Sequence, residues 1–181
     1  MGRAKEIQIR VIPSKIANPF IRAHHYSGKV VNNSCLHFGA FLDGRLHGVL
    51  SYGPSLDKKK IIGLVEGTTW DGFLELNSMA FDDYLPRNSE SYCIAKTIRL
   101  IRKQAPQVKW IISFADGCSC GDGTILPGYQ LRYIYFIDPE YRQRLKVPEI
   151  PFSRIDELGA GMYKGQQVSQ AERHAESHFE Q

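Results

Sequence analysis

Titratable side chains stand directly after two apolar segments of this chain. The motif His24-His25-Tyr26-Ser27-Gly28 begins at the last residue of the helix-like stretch Ser14–His24, and Asp116 follows the apolar run 110–115. A histidine can accept or deliver a proton near neutral pH, and a tyrosine hydroxyl beside it can donate a hydrogen bond to a developing oxyanion. A strand's carboxyl end, where Asp116 is expected, is where α/β sheets present side chains to ligands. Proton-transfer chemistry is one interpretation; the other is that these residues only cap a helix and a turn.

A second polar pair, Glu75 and Asn77, interrupts the apolar stretch Phe73–Phe81. Residues two apart on a strand project from the same face, so both side chains are expected on one side of a sheet. If that face opens on a cleft, Glu75 could act as a base toward an amine. A half-buried carboxylate paired with a lysine or arginine is an equally good interpretation, so both residues are substrate-side candidates.

The junction between the strand Phe73–Phe81 and the following helix is typical of an anion site. A helix is predicted over 88–104, with Asn88 as its N-cap candidate and Pro106 just past its end. The first N–H groups of a helix lack partners within it, and they point toward the positive end of its dipole. The pattern predicts a cofactor pyrophosphate held by backbone amides and by four side chains, Arg87, Asn88, Ser89 and Ser91.

A metal site is not indicated by the cysteines. Cys118-x-Cys120, with the isolated Cys35 and Cys93, does not have the paired spacing of structural zinc sites. His25, Asp116 and a third ligand would suit iron, but the sequence gives no ligand count. Metal ligands therefore stay unassigned.

The elements that must position these groups follow from periodicity and turn signals. Strands are predicted at 6–12, Leu36–Leu42, 47–52, Phe73–Phe81, 110–115 and 132–137. Asp43-Gly44 predicts a hairpin between the second and third strands. The stretch Ser14–His24 predicts a helix, or a helix broken at Pro19, and the three lysines 58–60 are expected in a polar loop.

Composition is that of one globular domain. The chain has 181 residues, 43% of them hydrophobic, and we expect a single domain over 1–158 followed by a polar tail, 159–181, that is flexible or dependent on a partner. No apolar run approaches about 20 residues and the N-terminus lacks a signal-peptide pattern, so a cytoplasmic location is expected. Four unevenly spaced cysteines agree with a reducing compartment.

A formal net charge of +4 is compatible with a polyanion partner without requiring one. The best candidates for DNA phosphate contacts form two groups, the lysine run and the basic residues of the helix at 88–104. These are Lys58, Lys59, Lys60, Arg99, Arg102 and Lys103. A solvated lysine run is the alternative for the first group.

The order of elements resembles the acyl-CoA-dependent N-acetyltransferase (GNAT) fold, an α/β fold with a mixed central sheet and helices on both faces. In that fold two parallel strands splay apart and the cofactor lies in the gap. The chain departs from the family in one respect, because the connection 82–91 has no glycine. Arg87 and the helix N-terminus would then have to hold the pyrophosphate.

Several motifs, in collinear order over about residues 20 to 140, resemble the Mom family of phage DNA-adenine modification proteins. They are His24-His25-Tyr26-Ser27-Gly28, His37-Phe38-Gly39-Ala40-Phe41, Glu75-Leu76-Asn77, Pro86-Arg87-Asn88-Ser89-Glu90-Ser91, Ser113-Phe114-Ala115-Asp116-Gly117 and Cys120-Gly121-Asp122-Gly123-Thr124. The resemblance implies conversion of the adenine N6 amino group in double-stranded DNA to a carbamoylmethyl (acetamido) derivative that protects phage DNA from host restriction. It implies acetyl-CoA as carbon donor, His25, Tyr26 and Asp116 as catalytic residues, and a host-cytoplasmic protein; iron is a further candidate cofactor and a homodimer a candidate assembly.

Two alternatives stay open beside that interpretation. One is a conventional acetyl-CoA-dependent N-acetyltransferase acting on a protein or small amine, against which the absence of glycine from 82–91 argues. The other is a catalytically silent DNA-binding or antirestriction accessory, against which the His25, Tyr26 and Asp116 set argues.

Overall fold

One mixed sheet of eight strands organises the protein. The computed structural model describes residues 3–116, 130–146, 152–155 and 161–163. The strand order is β1-β2-β3-β4-β5-β6-β8-β7. The strands are β1 Gln8–Val11, β2 Leu36–Leu42, β3 Arg45–Gly53, β4 Phe73–Phe81, β5 Trp110–Asp116, β6 Gln130–Phe136, β7 Phe152–Ile155 and β8 Gly161–Tyr163. The helices are α1 Ser14–His24, α2 Lys58–Ile61 and α3 Ser89–Gln104, with 3-10 turns at Arg3–Glu6, Ile62–Leu64 and Pro139–Arg144.

The parallel pair β4–β5 opens a cleft in this sheet, and the other strand neighbours are antiparallel. The β4–β5 register begins at Phe73 and Trp110 and ends at Leu76 and Ser113. Beyond that row β4 continues over 77–81, where it pairs only with β3, and β5 continues over 114–116, where it pairs only with β6. The two strands therefore splay apart at their carboxyl ends, and α3, which connects them, begins at that end of the sheet.

The α3 side of the sheet holds the larger core. Ile98 and Ile101 of α3 pack with alternate residues of the central strands, among them Leu50, Leu76 and Ile111. Alternation in the strands puts every second side chain on this side, which is why these apolar positions recur with a period of two. Burying each such side chain contributes roughly 1.5–3 kcal/mol.

The opposite side carries two smaller apolar clusters. In the first, Ala17 and Ile21 of α1 pack on Val49 and Ala80. In the second, the α2 and Ile62–Leu64 segments, with Val65, cover the side chains of Phe73, Trp110, Ile112, Ile134 and Phe136. Val49 and Ile112 are adjacent in sequence to Leu50 and Ile111, which face the α3 side. Because successive side chains of a strand point to opposite faces, both small clusters lie on the side away from α3. Helices thus cover both sides of the sheet, as the sequence predicts.

Some local details confirm the predicted elements and others differ. The stretch Ser14–His24 forms the predicted helix, and of the two predicted forms it takes the unbroken one, with Pro19 inside α1. The lysine run, expected in a loop, forms α2, which continues directly into a 3-10 turn. The strand expected at 6–12 is shortened to β1 by the 3-10 turn at Arg3–Glu6.

The sheet extends past residue 158, where the sequence predicts the end of the domain. Strand β8 pairs with β6 and β7, so Gly161–Tyr163 belongs to the sheet. The remainder of the predicted tail, 164–181, lies outside the described residues. Within the described part of the chain, none of the helices combines the length and the apolar character needed to cross a bilayer.

Candidate active site

A β-bulge at Asn77 separates the two apolar clusters on the α1 side. Ser51 opposes Ser78 and Tyr52 opposes Leu76, so Asn77 is an extra residue in β4. The simple alternation that predicts Glu75 and Asn77 on one face does not run through such a bulge. The Asn77 amide oxygen nevertheless lies over Gly53, which pairs with Glu75, so both residues do reach the α1 side.

Two further residues extend this polar surface, and sequence reasoning gave neither a chemical role. His37, 6% exposed, lies opposite Ser51 in the β2–β3 register, and a 2.7 Å hydrogen bond joins its Nδ1 to the Ser51 hydroxyl. Burial lowers the pKa of His37, so the ring is neutral at neutral pH. The signal available in the sequence was a histidine at an inward-facing position of an apolar strand.

We call Glu75, Asn77 and Ser78, together with His37 and Ser51, the polar strip. Ser78 is 4% exposed and its hydroxyl has no hydrogen-bond partner in the structure; the Asn77 side-chain nitrogen is likewise buried without one. Buried polar atoms without partners are rare because each costs about 1–3 kcal/mol. They lie where β4 leaves β5, which is the position expected for groups that bind a substrate.

The loop 29–35 covers the start of this polar strip. The Ser34 hydroxyl donates a 3.2 Å hydrogen bond to the Asn77 amide oxygen, and the Asn33 side chain donates to the Pro54 carbonyl. A Cβ atom at Gly53 would lie 2.3 Å from the Asn33 carbonyl oxygen. Gly53 therefore permits a close approach of two backbones that any larger residue would prevent.

Replacing Gly53 by alanine should lift this loop away from the sheet. We expect Gly53→Ala to lower the free energy of unfolding by about 1–3 kcal/mol, the usual cost of overpacking. Gly63→Ala is the matched control, because a Cβ there meets nothing within 4 Å. Denaturant unfolding of both variants measures the difference, and equal midpoints for the two would show that the loop does not bear on Gly53 in solution.

The His24-His25-Tyr26-Ser27-Gly28 motif forms the turn that leads from α1 into that loop. The His25 backbone N–H donates to the Ile21 carbonyl at 2.8 Å and so caps α1, while Gly28 takes a φ of 60°. A 2.8 Å hydrogen bond joins the His25 Nδ1 and the Ser27 hydroxyl, and the His25 and Tyr26 ring centroids lie 4.4 Å apart. Tyr26 is 67% exposed. The turn therefore caps the helix, as one interpretation predicts, and it also brings the two rings together; their catalytic role stays a prediction.

Partial burial lowers the pKa of His25, so this imidazole too is neutral at neutral pH and can accept a proton. The third predicted catalytic residue, Asp116, is the last residue of β5, beyond the point where β5 leaves β4. The structure describes its backbone position only. Cys118 and Cys120 lie outside the described residues, and within the described ones no group of three or more His, Cys, Asp or Glu residues could hold a metal ion.

The N-terminus of α3 lies at the cleft end of β4. Asn88 precedes the helix in the left-handed conformation, at a φ of 67°, and its side chain makes no capping hydrogen bond, which corrects the predicted side-chain cap. The Ser89 hydroxyl is buried and donates to the Pro86 carbonyl, so it is already engaged. Arg87 and Ser91 are exposed. The groups that remain for an anion are these two side chains and the first backbone N–H groups of the helix.

A polar network holds the glycine-free loop 82–88. Tyr84 stacks on His47, with ring centroids 4.3 Å apart, and donates a hydrogen bond to Asp43. A 2.8 Å hydrogen bond joins His47 Nδ1 to Asp82, and Arg3 donates two hydrogen bonds to Asp43, whose carboxyl pKa these partners lower. The loop is therefore fixed by side chains from the β2–β3 hairpin rather than by backbone turns that need glycine.

Comparison with known proteins decides the family. A model of the Mom protein family matches residues 6–130, which include the bulge, the turn after α1, the α3 N-terminus and the whole of β5. The chain belongs to the Mom family. It is 39% identical over 134 residues to the methylcarbamoylase mom of Escherichia phage Mu, an alignment that covers 74% of this chain and 54% of that protein. The chain thus spans about half the length of this relative.

Solved structures similar to this Mom-family chain include acyl-transfer proteins. The N-acyl amino acid synthase FeeM from uncultured soil microbes superposes with a TM-score of 0.48 at 15% identity, covering 76% of this chain and 99% of that one. The Escherichia coli GNAT-family N-acetyltransferase YhbS, solved with CoA, superposes with a TM-score of 0.45 at 14% identity, covering 88% of this chain and 81% of that one. The predicted GNAT-like fold is confirmed by the chain's own strand order and by its splayed parallel pair.

The two predicted DNA-binding groups of this Mom-family chain lie on opposite sides of the sheet. Arg99, Arg102 and Lys103 are exposed on α3, whereas α2 carries Lys58, Lys59 and Lys60 on the side of the polar strip. The structure therefore brings only the lysines to the side that holds Glu75 and the turn after α1.

Proposed function

We propose that this chain modifies adenine in double-stranded DNA by converting the N6 amino group to a carbamoylmethyl (acetamido) group, which protects phage DNA from host restriction enzymes. The observation that carries the proposal is the 39% identity to the phage Mu methylcarbamoylase. That alignment covers 74% of this chain, and the family match at 6–130 includes each of the cleft elements.

The chain's own residues account for the proton that the reaction must move. Adenine N6 is conjugated with the ring and barely basic, so a new N6–carbon bond forms only as a proton leaves N6. His25 is neutral and can take that proton, while the Tyr26 hydroxyl would donate a hydrogen bond to the carbonyl oxygen of the two-carbon unit. Asp116 orients this pair, and Glu75 and Asn77 hold the adenine edge.

Acetyl-CoA fits the other end of the cleft. When bound, it would supply the two-carbon unit of the carbamoylmethyl group, whose thioester carbonyl would exchange the CoA thiol for an amine; the bond between its methyl carbon and N6 is not assigned to any residue here. Arg87, Ser91 and the first amides of α3 would hold the pyrophosphate, and the left-handed backbone at Asn88 turns the chain into the helix at that point. Iron fits the described residues less well, since they offer no cluster of ligands, and no step is assigned to a metal.

A conventional N-acetyltransferase is the second candidate, because the splayed β4–β5 pair would serve any acyl-CoA reaction. The substrate, rather than the cofactor, distinguishes the two. An ordinary acetyltransferase needs no DNA surface, whereas a DNA enzyme needs one on the side that carries the polar strip.

Nucleoside mass spectrometry of plasmid DNA, after expression of this chain in a bacterium, tests the proposal. We expect a carbamoylmethyl derivative of deoxyadenosine, together with resistance of the plasmid to restriction enzymes whose sites contain adenine. Unmodified deoxyadenosine, or acetylation confined to proteins and small amines, would contradict the proposal.

A further inference from the structure

An exposed leucine stands at the rim of the polar strip. Leu56 is 82% exposed, the largest exposure among the large hydrophobic residues described, and Trp70 nearby is 56% exposed. Both line a surface pocket of about 400 Å³ whose other walls are formed by residues 54–59. Leu56 and Trp70 together thus form an exposed apolar surface around a pocket, the kind of surface that a partner covers.

The segment that carries Leu56 is fixed at both ends. Before it, Gly53 pairs with Glu75 in the polar strip and the Asn33 side chain donates to the Pro54 carbonyl. Ser55 is 6% exposed, and α2 begins two residues after Leu56. Leu56 lies three residues after Gly53, and three residues span at most about 10 Å. Leu56 therefore lies within about 10 Å of Gly53, the residue that pairs with Glu75.

Positive charge surrounds the same pocket. Lys58 lies over the Trp70 ring, with its Nζ 4.7 Å from the ring centroid, and Lys59 and Lys60 follow it on α2. The acidic member of the segment, Asp57, is paired with Lys60 at 3.2 Å. An apolar residue beside a group of lysines matches a duplex, which presents phosphates outside and stacked bases inside.

DNA modification at adenine N6 makes a specific demand on such a surface. The amino group of a paired adenine lies inside the base stack, so the nucleotide must be extruded before it can react. Proteins that open a base step insert apolar side chains, leucine among them, into the space that is left.

From this juxtaposition we propose that Leu56 is a wedge that enters the DNA base stack while the extruded adenine occupies the polar strip. The lysines of α2 contact the flanking phosphates, and Trp70 forms the wall beside them. This inference rests on the proposed function, and it names the surface and the residue by which duplex DNA is opened.

Duplexes that contain 2-aminopurine, an adenine analogue whose fluorescence is quenched by stacking, test the wedge. Wild-type protein should raise the fluorescence of the paired analogue. We expect Leu56→Ala to reduce that rise roughly tenfold, while its affinity for DNA changes by less than about threefold, since the lysines remain. Ile16→Ala, which shortens an exposed aliphatic side chain on α1, should behave as wild type.

A second duplex separates a wedge from a merely structural role. With the analogue opposite an abasic site, opening needs no wedge, so Leu56→Ala should match wild type there. An undiminished rise for Leu56→Ala on the paired duplex, or no rise with wild type, overturns the inference. Lost adenine modification with normal opening and DNA affinity also overturns it and assigns the surface to a protein partner.

These fluorescence measurements need neither cofactor nor turnover, so they decide the wedge even if the nucleoside assay contradicts the proposed function. Conversely, full adenine modification by Leu56→Ala in cells would contradict the wedge role of Leu56 and leave the proposed function standing.

Discussion

Tyr26→Phe will abolish adenine modification while leaving the fold intact. The substitution deletes one hydroxyl from a side chain that is 67% exposed, so no core contact is lost. A hydroxyl that donates to the developing oxyanion, or passes a proton, accounts for about 10²–10⁴-fold in rate. His25→Ala and Asp116→Asn should cause losses of the same order. The measurement is nucleoside mass spectrometry of plasmid DNA from cells expressing each variant.

Tyr92→Phe is the matched control, because its hydroxyl donates to the Lys5 carbonyl on the α3 side of the sheet. This variant should modify adenine at the wild-type level. Circular dichroism melting should place all the variants within a few degrees of wild type. Full restriction resistance in cells expressing Tyr26→Phe would mean that this residue is structural.

The pH dependence of the reaction should follow His25. Burial lowers the pKa of this imidazole below its usual 6.5, so the neutral, proton-accepting form already predominates at pH 6.5 and is lost only at more acidic pH. Activity should therefore fall as the pH drops through the lowered pKa, with its half-maximal value below pH 6.5. A half-maximal value above pH 6.5 on the acid side would mean that another group limits the reaction.

Arg87→Glu will weaken acetyl-CoA binding by at least about tenfold. Arg87 is exposed at the start of α3, where it can form charge-assisted hydrogen bonds to a pyrophosphate, and a carboxylate in its place would repel the phosphates. One charge-assisted hydrogen bond contributes about 1.5–3 kcal/mol, which corresponds to roughly 10–100-fold in affinity. Titration calorimetry with acetyl-CoA measures the change directly.

Arg99→Glu makes the same charge change on the same helix, about three turns from the cleft, and it should bind acetyl-CoA as wild type does. If Arg87→Glu and Arg99→Glu both retain wild-type affinity, the α3 N-terminus is not the pyrophosphate site. An equal loss in both variants would indicate a general effect of net charge instead.

Local signals in the sequence were enough to predict much of this fold. Asp43 and Gly44 both take positive φ values and form the predicted hairpin turn, since an aspartate followed by glycine tolerates that geometry. The apolar run now in β5 and the amphipathic α3 were equally clear. Such features depend on residues close in sequence, which is why a pattern reveals them.

The features that escaped prediction depend on contacts between distant segments. The Lys58, Lys59 and Lys60 run forms a helix because Ile61, Ile62 and Leu64 after it pack on β4–β6, a tertiary contact that local composition does not encode. The roles of His37 and Ser51 depend on the register between two strands, and the left-handed Asn88 depends on how the loop before it is held. The catalytic set, in contrast, was reached through the family resemblance, and its assignment stays a prediction.

The bulge at Asn77 turns β4 into two half-strands that are out of phase. Phe73 faces the α1 side and Leu76 the α3 side, and after the extra residue Met79 faces the α3 side and Ala80 the α1 side. Deleting Asn77 would remove the bulge and leave a regular ladder, with Ser78 still opposite Ser51 and Met79 still on the α3 side. A relative with an alignment gap at this position would therefore keep both apolar faces of β4 but lack the amide that Asn77 adds to the cleft.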